Sequence, residues 1–95
     1  MARDLLGEDE IERQMAGLGW TRQGDRLEKE LTFADFRAAM AFVNRLADLA
    51  ESRNHHPDIA ISWNRVSLRL TTHDRGGLTG LDFDLARAVD ALDAG

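Results

Sequence analysis

The chain has 95 residues, 43% of them hydrophobic, which predicts one small domain spanning residues 1–95 with a modest core. Its 12 Lys and Arg against 17 Asp and Glu give a net charge of -5, so the positive field that attracts phosphate backbones is missing and direct nucleic-acid binding is not expected. The sequence contains no cysteine, which excludes disulfides, thiolate nucleophiles and cysteine-ligated metals.

The first third of the sequence predicts a helix followed by a β-hairpin. Residues 7–19 carry apolar side chains at helical spacing, and the helix should end at Gly17 or Gly19. Residues 20–23 form a short strand candidate, and residues 27–33 alternate apolar and polar side chains after a Gly-Asp turn. We therefore expect two antiparallel strands directly after the first helix.

A long helix with a broad apolar face is predicted next, from Thr32 to about Arg53. Asp35 lies three residues after Thr32, and the two resemble a capping box at the helix start. Pro57 disfavours helical dihedrals at His56, the residue before it. The helix should therefore end before the pair of His55 and His56, and the pair should lie on a turn or on extended backbone.

A second hairpin is predicted after the proline. Apolar residues alternate over residues 59–63 and again over residues 66–72, with a turn at Asn64 and Arg65 between them. The same alternation predicts that Trp63 packs into the protein and does not stack on a ligand.

His73 continues the parity of the polar residues on this last strand, which predicts that it points away from the core. Gly76 and Gly77 end the strand, and Thr79 with Asp82 has the spacing of a capping box for a last helix. The element order predicts an α+β fold with two layers, in which a four-stranded antiparallel sheet carries three helices on one face. The other face would remain open for a ligand or a second subunit.

All three histidines lie in two short pieces, residues 54–58 and residues 71–74. Imidazole titrates near neutral pH, so this clustering suggests a site for general acid and base chemistry. Spacing alone leaves two alternatives open. One is a loop that caps helix carbonyls, and the other is a zinc site, although the spacing of known zinc motifs is missing. By the same standard, Glu51 would be a solvated surface charge and Asp82 a helix-capping residue.

Residues 51–82 also carry a pattern of residue types at fixed separations. It consists of Glu51, His55, His56, Pro57, Trp63, Thr72, His73, Gly76, Gly77, Leu78, Thr79 and Asp82. This pattern closely resembles the signature of the pterin-4a-carbinolamine dehydratases. The likeness extends from about Gly17 to the C-terminus through Gly19-Trp20, Phe33, Phe36 and Asp84-Leu85-Ala86.

The resemblance implies a dehydratase that removes water from a 4a-hydroxytetrahydropterin and gives the quinonoid dihydropterin during tetrahydrobiopterin recycling, with no metal or organic cofactor. By the same resemblance, His55 and His73 would be general acids acting on the departing hydroxyl. His56 would hold the pterin and act as base toward its N5 proton.

Further site residues follow from the resemblance alone. The implied substrate-binding positions are His55, His56, Pro57, Thr72, His73, Asp74 and Arg75. Glu51 and Asp82 match acidic positions and would orient histidines or bind pterin nitrogens. Two departures concern pterin side-chain preference: Ile59-Ala60-Ile61 stands where relatives often have an aromatic residue, and Asp74-Arg75 replaces a more usual Glu with a small residue.

The alternative function is a protein-binding module on the same fold. Some similar proteins act as dimerisation cofactors of a hepatocyte transcription factor or as assembly factors for carbon-fixing complexes. The resemblance and the small core together predict a homodimer joined through sheet edges, or a homotetramer in which two dimers meet through a helical face. No segment resembles a signal peptide or a membrane span, which predicts a cytoplasmic protein that contacts no membrane.

Overall fold

The structure, a computed structural model, describes residues 2–94 and has the predicted order of elements. The helices are α1 (Glu8–Met15), α2 (Phe36–Arg53) and α3 (Gly80–Ala94). The strands are β1 (Thr21–Gln23), β2 (Arg26–Thr32), β3 (Asp58–Ser62) and β4 (Arg65–Leu70). A 3-10 helix at His73–Arg75 between β4 and α3 was not predicted. None of the helices within residues 2–94 is long and apolar enough to cross a membrane.

The four strands form one antiparallel sheet in the order β1-β2-β4-β3. The second hairpin joins the first through β2 and β4, with Leu27 opposite Leu70 and Leu31 opposite Val66. Strands β1 and β3 are therefore the two edges of the sheet. The predicted α+β fold with an antiparallel sheet is confirmed.

The core forms where the sheet meets the helices. The alternation in β4 buries Val66, Leu68 and Leu70, while Arg65 and Arg69 on the opposite face are exposed. The helices add apolar side chains from their inner faces, chiefly Ile11, Ala39, Phe42, Leu46, Phe83, Leu85, Ala86 and Val89. Each side chain of Leu or Phe size that is fully buried in this way contributes about 1.5–3 kcal/mol of transfer free energy.

The start of α2 differs from the predicted capping box. Asp35 is itself the N-cap residue, and its side chain accepts a hydrogen bond from the backbone N–H of Ala38 at 2.8 Å. Thr32 is the last residue of β2, so the cap begins three residues later than the sequence pattern suggested. The predicted helix end at Arg53 is confirmed.

The turn between β3 and β4 lies at Trp63 and Asn64, one residue earlier than predicted. Trp63 has a left-handed backbone, with φ of 55°, and its side chain is 68% exposed. The prediction that Trp63 packs into the protein is therefore wrong, because the strand ends at Ser62 and its alternation does not extend into the turn.

Strand β4 ends at Leu70, earlier than predicted, and His73 begins the 3-10 helix. The assignment of His73 to the polar parity of a strand is therefore wrong. Its side chain is exposed all the same, because the short helix lies on the surface. The backbone is held there by an isolated bridge between Thr72 and Gly77 and by a left-handed Gly76, with φ of 74°.

Candidate active site

A surface depression of about 200 Å³ lies where α2 ends and the 3-10 helix passes beside it. It brings all three histidines to one place. Its lining residues are Arg3, Asn54, His55, His56, Thr71, His73 and Asp74.

The end of α2 sets the direction of the first two histidines. Asn54 adopts a left-handed conformation, with φ of 50°, and its backbone N–H donates to the carbonyls of Ala50 and Glu51. Asparagine tolerates this conformation better than most residues, so it ends the helix as a glycine would. After this change of chain direction, the side chain of His55 is buried and that of the next residue, His56, is exposed.

His55 is fixed by the buried carboxylate of Asp82. The His55 Nε2 atom lies 2.6 Å from Asp82 Oδ1, and Asp82 is fully buried. The second oxygen, Oδ2, accepts from the hydroxyl of Thr72 and from the backbone N–H of Thr79, both at 2.9 Å. The last contact confirms the predicted capping pair at the start of α3.

The hydrogen bonds around Asp82 determine which hydroxyl group donates in each contact. The Thr72 hydroxyl donates to Asp82, so the 2.8 Å contact between Thr72 and Thr79 requires the Thr79 hydroxyl to donate. Thr79 Oγ1 in turn accepts from the backbone N–H of Leu81 at 3.2 Å. When Asp82 is ionised, both of its oxygens only accept, so the hydrogen of this contact is on His55 Nε2 and Nδ1 is the nitrogen left for proton transfer.

His56 has a similar but exposed partner. Its Nε2 atom lies 2.5 Å from Oε2 of Glu51, which belongs to the last turn of α2. Both side chains are more than half exposed to solvent. The contact again assigns the hydrogen to Nε2 and leaves Nδ1 available, but water and salt compete with it.

His73 is held differently. Within residues 2–94, its ring has no hydrogen-bond partner, whereas its backbone belongs to the 3-10 turn in which Arg75 and Gly76 donate to the carbonyl of Thr72. Its neighbour Asp74 forms an ion pair with Arg3 of the N-terminal segment. The hydrogen bond and the charge of Arg3 hold the pKa of Asp74 below its ordinary value of 3.8.

The structure brings together four of the predicted substrate-binding residues, namely His55, His56, His73 and Asp74. Outside this lining, Asp82 contacts the ring of His55 and Glu51 contacts the ring of His56. The remaining three do not line the depression in the described range: Thr72 turns its hydroxyl inward to Asp82, and Pro57 and Arg75 lie outside.

The sequence did not point to four residues of the site. Arg3, Asn54 and Thr71 line the depression, and Thr79 belongs to the buried network. An Asn directly after a long predicted helix is a recognisable signal for a left-handed helix end. Arg3 gives no comparable signal, because its partner lies 71 positions away.

A larger depression, of about 510 Å³, lies between α1 and α3. Its charged groups already have partners, as in the ion pair of Arg13 with Glu10 and the hydrogen bond that Arg87 donates to Gln14, so they have little capacity left for a ligand. In the described part of the chain, no three His, Asp or Glu side chains come together in a way that could hold a metal ion. The histidine depression is therefore the best candidate for chemistry.

Comparison with known proteins identifies the family. The family model described as Pterin 4 alpha carbinolamine dehydratase matches residues 4–92. The chain belongs to this family. The resemblance noted in the sequence is thereby confirmed, and the dehydratases that give the family its name are hydro-lyases.

Two relatives named "Putative pterin-4-alpha-carbinolamine dehydratase" cover nearly the whole chain. The protein from Thermosynechococcus vestitus is 56% identical over 90 residues, which are 94% of this chain and 95% of that protein. The protein from Roseiflexus castenholzii is 52% identical over 89 residues, which are 93% of this chain and 96% of that protein.

Two solved structures share the fold. A transcriptional coactivator/pterin dehydratase from Brucella melitensis has a TM-score of 0.89 at 33% identity, with coverage of 94% of this chain and 98% of that one. A pterin dehydratase-like protein identified as a RuBisCO assembly factor in the alpha-carboxysome has a TM-score of 0.63 at 27% identity. That match covers 77% of this chain and 84% of the other.

Proposed function

We propose that this protein eliminates water from a 4a-hydroxytetrahydropterin (pterin-4a-carbinolamine) to give the quinonoid dihydropterin in tetrahydropterin recycling. The observation that carries the proposal is the convergence of His55, His56 and His73 on one depression, with two of the rings oriented by carboxylates. Membership of the dehydratase family supports the reaction type and the pterin substrate.

The proposed reaction needs one proton delivered and one removed. His55 or His73, in its protonated form, gives a proton to the 4a-hydroxyl, which turns a poor leaving group into water. His56 Nδ1 accepts the N5 proton, the N5 electrons form a double bond to C4a, and the C4a–O bond breaks. Proton exchange with solvent restores the histidines, so no metal or redox cofactor is needed for the balance.

The proposed roles agree with the hydrogen bonds. A neutral imidazole that donates from Nε2 has its lone pair on Nδ1, as the base role of His56 requires. His73 has both ring nitrogens free of protein partners within residues 2–94, which suits a group that must approach a departing hydroxyl. The volume of about 200 Å³ is below the usual range of about 300–1,000 Å³ for ligand pockets, so the pterin side chain would extend into solvent.

Stopped-flow conversion of chemically generated 4a-hydroxytetrahydropterin tests the proposal. We expect the wild-type protein to accelerate the conversion and His56→Ala and His73→Ala to slow it by about 100-fold or more. Arg13→Ala, which removes an exposed ion pair on α1 away from the histidines, is the control and should behave as wild type. A conversion rate with the wild-type protein equal to the rate in buffer alone would contradict the proposal.

A second proposed function is protein binding, through a homodimer formed by β3 edges. Every residue of strand β3 is exposed, and Ile59 and Ile61 on the strand, with Trp63 in the turn after it, present apolar surface. An apolar edge strand of this kind pairs readily with another strand, whereas the opposite edge, β1, has only three residues, all polar. The coactivator and assembly-factor neighbours support a protein-binding role in addition to catalysis.

Light scattering at micromolar concentration tests the dimer. We expect a dimeric or tetrameric mass for the wild type and a smaller mass for Ile61→Lys, because a charge on β3 would have to be buried between subunits. Thr21→Lys, on the opposite edge, is the matched control and should keep the wild-type mass. A monomeric wild type would contradict the proposal.

We also propose that residues 1–95 form one domain that works in the cytoplasm. One cluster of buried residues draws on all three helices and on both hairpins, which supports a single folding unit. Limited proteolysis should then yield no stable fragment, and a surviving half-length fragment would contradict it.

A further inference from the structure

The three histidines differ in what holds their rings. Asp82 fixes His55 and Glu51 fixes His56, each through Nε2. The His73 ring has no such partner in the part of the chain that the structure describes, so its position depends on the backbone of the segment that carries it. That segment, residues 72–80, is short and irregular, and what packs on it decides how well His73 is placed.

The N-terminal arm, defined as residues 2–6, packs along this segment. Leu6 N–H donates to the carbonyl of Leu78 at 2.9 Å, and Leu5 forms an isolated antiparallel bridge with Thr79. Leu81 N–H donates back to the carbonyl of Ala2 at 3.3 Å. The arm thus lies antiparallel to the start of α3 and is fixed to it from both ends.

The arm also lies close against two glycines of the segment. A Cβ atom placed on Gly77 would lie 3.1 Å from the Leu5 side chain, which is tighter than ordinary van der Waals contact. At Gly80 the same atom would lie 3.5 Å from the Ala2 carbonyl oxygen. The contact at Gly80 is an ordinary van der Waals distance, whereas Gly77 lets the Leu5 side chain lie directly on the backbone that leads from His73 to α3.

Arg3 extends this contact to the depression. Its guanidinium forms an ion pair with Asp74, the residue after His73, and Arg3 is itself one of the lining residues. One contact joins the two side chains, from Nη2 of Arg3 to Oδ2 of Asp74, and the opposite charges strengthen it. Both side chains are about half exposed or more, so the pair contributes little to folding stability, and its main effect is on where the 3-10 helix lies.

We infer that the N-terminal arm is a positioning element of the active site, in which Arg3, through Asp74, holds the 3-10 helix so that His73 faces the substrate. The inference rests on the proposed dehydration. Arg3 is a positioning residue and acts through His73. Asp82 and Glu51 position His55 and His56 through their rings, and the arm positions His73 through its backbone.

Steady-state and stopped-flow kinetics of Arg3→Ala test this role. We expect kcat to fall about tenfold, because a misplaced acid delivers its proton less often, while KM changes by less than about twofold. Arg3→Lys keeps the charge beside Asp74 and should retain kcat within about threefold of wild type. Arg13→Ala, another exposed arginine paired with a carboxylate, is the control and should leave kcat unchanged.

A double variant separates positioning from direct substrate contact. If Arg3 acts through His73, adding Arg3→Ala to His73→Ala should change kcat by less than about twofold. An equal tenfold loss in both backgrounds would mean that Arg3 contacts the substrate itself and would overturn the inference.

The ring resonances of the histidines provide a readout that does not need activity. In heteronuclear NMR spectra, Arg3→Ala should shift or broaden the ring signals of His73 and leave those of His56 in place, whereas Arg13→Ala should move neither. An unmoved His73 signal would overturn the arm's role even in an active enzyme. Inactivity of the wild-type protein together with a displaced His73 signal would instead count against the dehydration alone.

Discussion

The histidines that follow α2 and the histidine that follows β4 are placed by different physical means. His55 and His56 are each tied at Nε2 to a carboxylate, one buried and one exposed. His73 has an untied ring on a 3-10 helix that is held by its backbone and by the neighbouring Arg3–Asp74 pair. A side-chain anchor fixes both the tautomer and the orientation of a ring, whereas a backbone anchor fixes only the point from which the ring turns.

The largest expected effect is at the buried anchor. Asp82→Asn should lower kcat by about 100-fold or more, because an amide in place of the carboxylate disturbs the His55 tautomer. It should also lower the free energy of unfolding by about 1–3 kcal/mol, since one of the buried donors loses its acceptor. Asp84→Asn, an exposed acid on the same helix, is the matched control for stopped-flow and thermal unfolding measurements. Equal activity in the two variants would contradict the claim that Asp82 orients His55 for catalysis.

The next comparison sets His55→Ala against His73→Ala. Both should lower kcat by about 100-fold or more if both histidines act as acids. Only His55→Ala should also destabilise the fold, by about 1–3 kcal/mol, because it removes a donor from the fully buried Asp82. His73→Ala at an exposed position should change the free energy of unfolding by less than about 0.5 kcal/mol. Denaturant titration measures the two free energies of unfolding. Equal destabilisation would contradict the claim that a buried carboxylate holds His55 and that His73 has no such contact.

A smaller effect is expected at the exposed anchor. Glu51→Gln should lower kcat by about tenfold or less, because exposed ion pairs contribute about 0–1 kcal/mol. The loss should shrink further in high salt, where the wild-type contact is already screened. Asp48→Asn, an exposed acid one turn earlier on α2, is the control. A loss as large as that of Asp82→Asn would show that exposure does not set the strength of these anchors.

The smallest effect concerns the pH range of the Arg3–Asp74 pair. Arg3 lowers the pKa of Asp74 in the folded protein, so the pair's contribution to stability is present above the ordinary value of 3.8 and is lost as the pH falls through the lowered value. An NMR titration of the Asp74 carboxyl should give a midpoint below 3.8 in the wild type. The midpoint should rise in Arg3→Ala. An unchanged midpoint would show that the pair does not form in solution.

The sequence was informative where one physical rule dominated. Alternation predicted the buried face of β4, and Pro57 predicted where α2 must end. The Thr79 and Asp82 spacing predicted the cap of α3, because capping depends on residues only three apart. The histidine cluster and the pattern around it were likewise visible in local sequence.

The sequence was less informative where tertiary contacts or local backbone choices decided the outcome. The Arg3–Asp74 pair joins residues 71 positions apart, and no local pattern announces it. The sequence identified Asp82 as a capping residue, a role that its Oδ2 atom fulfils, but its Oδ1 atom binds His55 through a contact that only the packed fold creates. Trp63 followed the alternation of its strand in the sequence but falls in the turn, where parity no longer applies.

The exposed position of Trp63 in the turn makes its fluorescence different from that of Trp20. The protein has two tryptophans: Trp20 is 5% exposed, and Trp63 is 68% exposed at the end of the apolar edge strand. Their indoles therefore experience opposite environments, and their fluorescence should report on different events. In a Trp63→Phe variant, the remaining emission would follow unfolding of the core around Trp20. In a Trp20→Phe variant, a blue shift with rising protein concentration would reveal whatever covers the β3 edge.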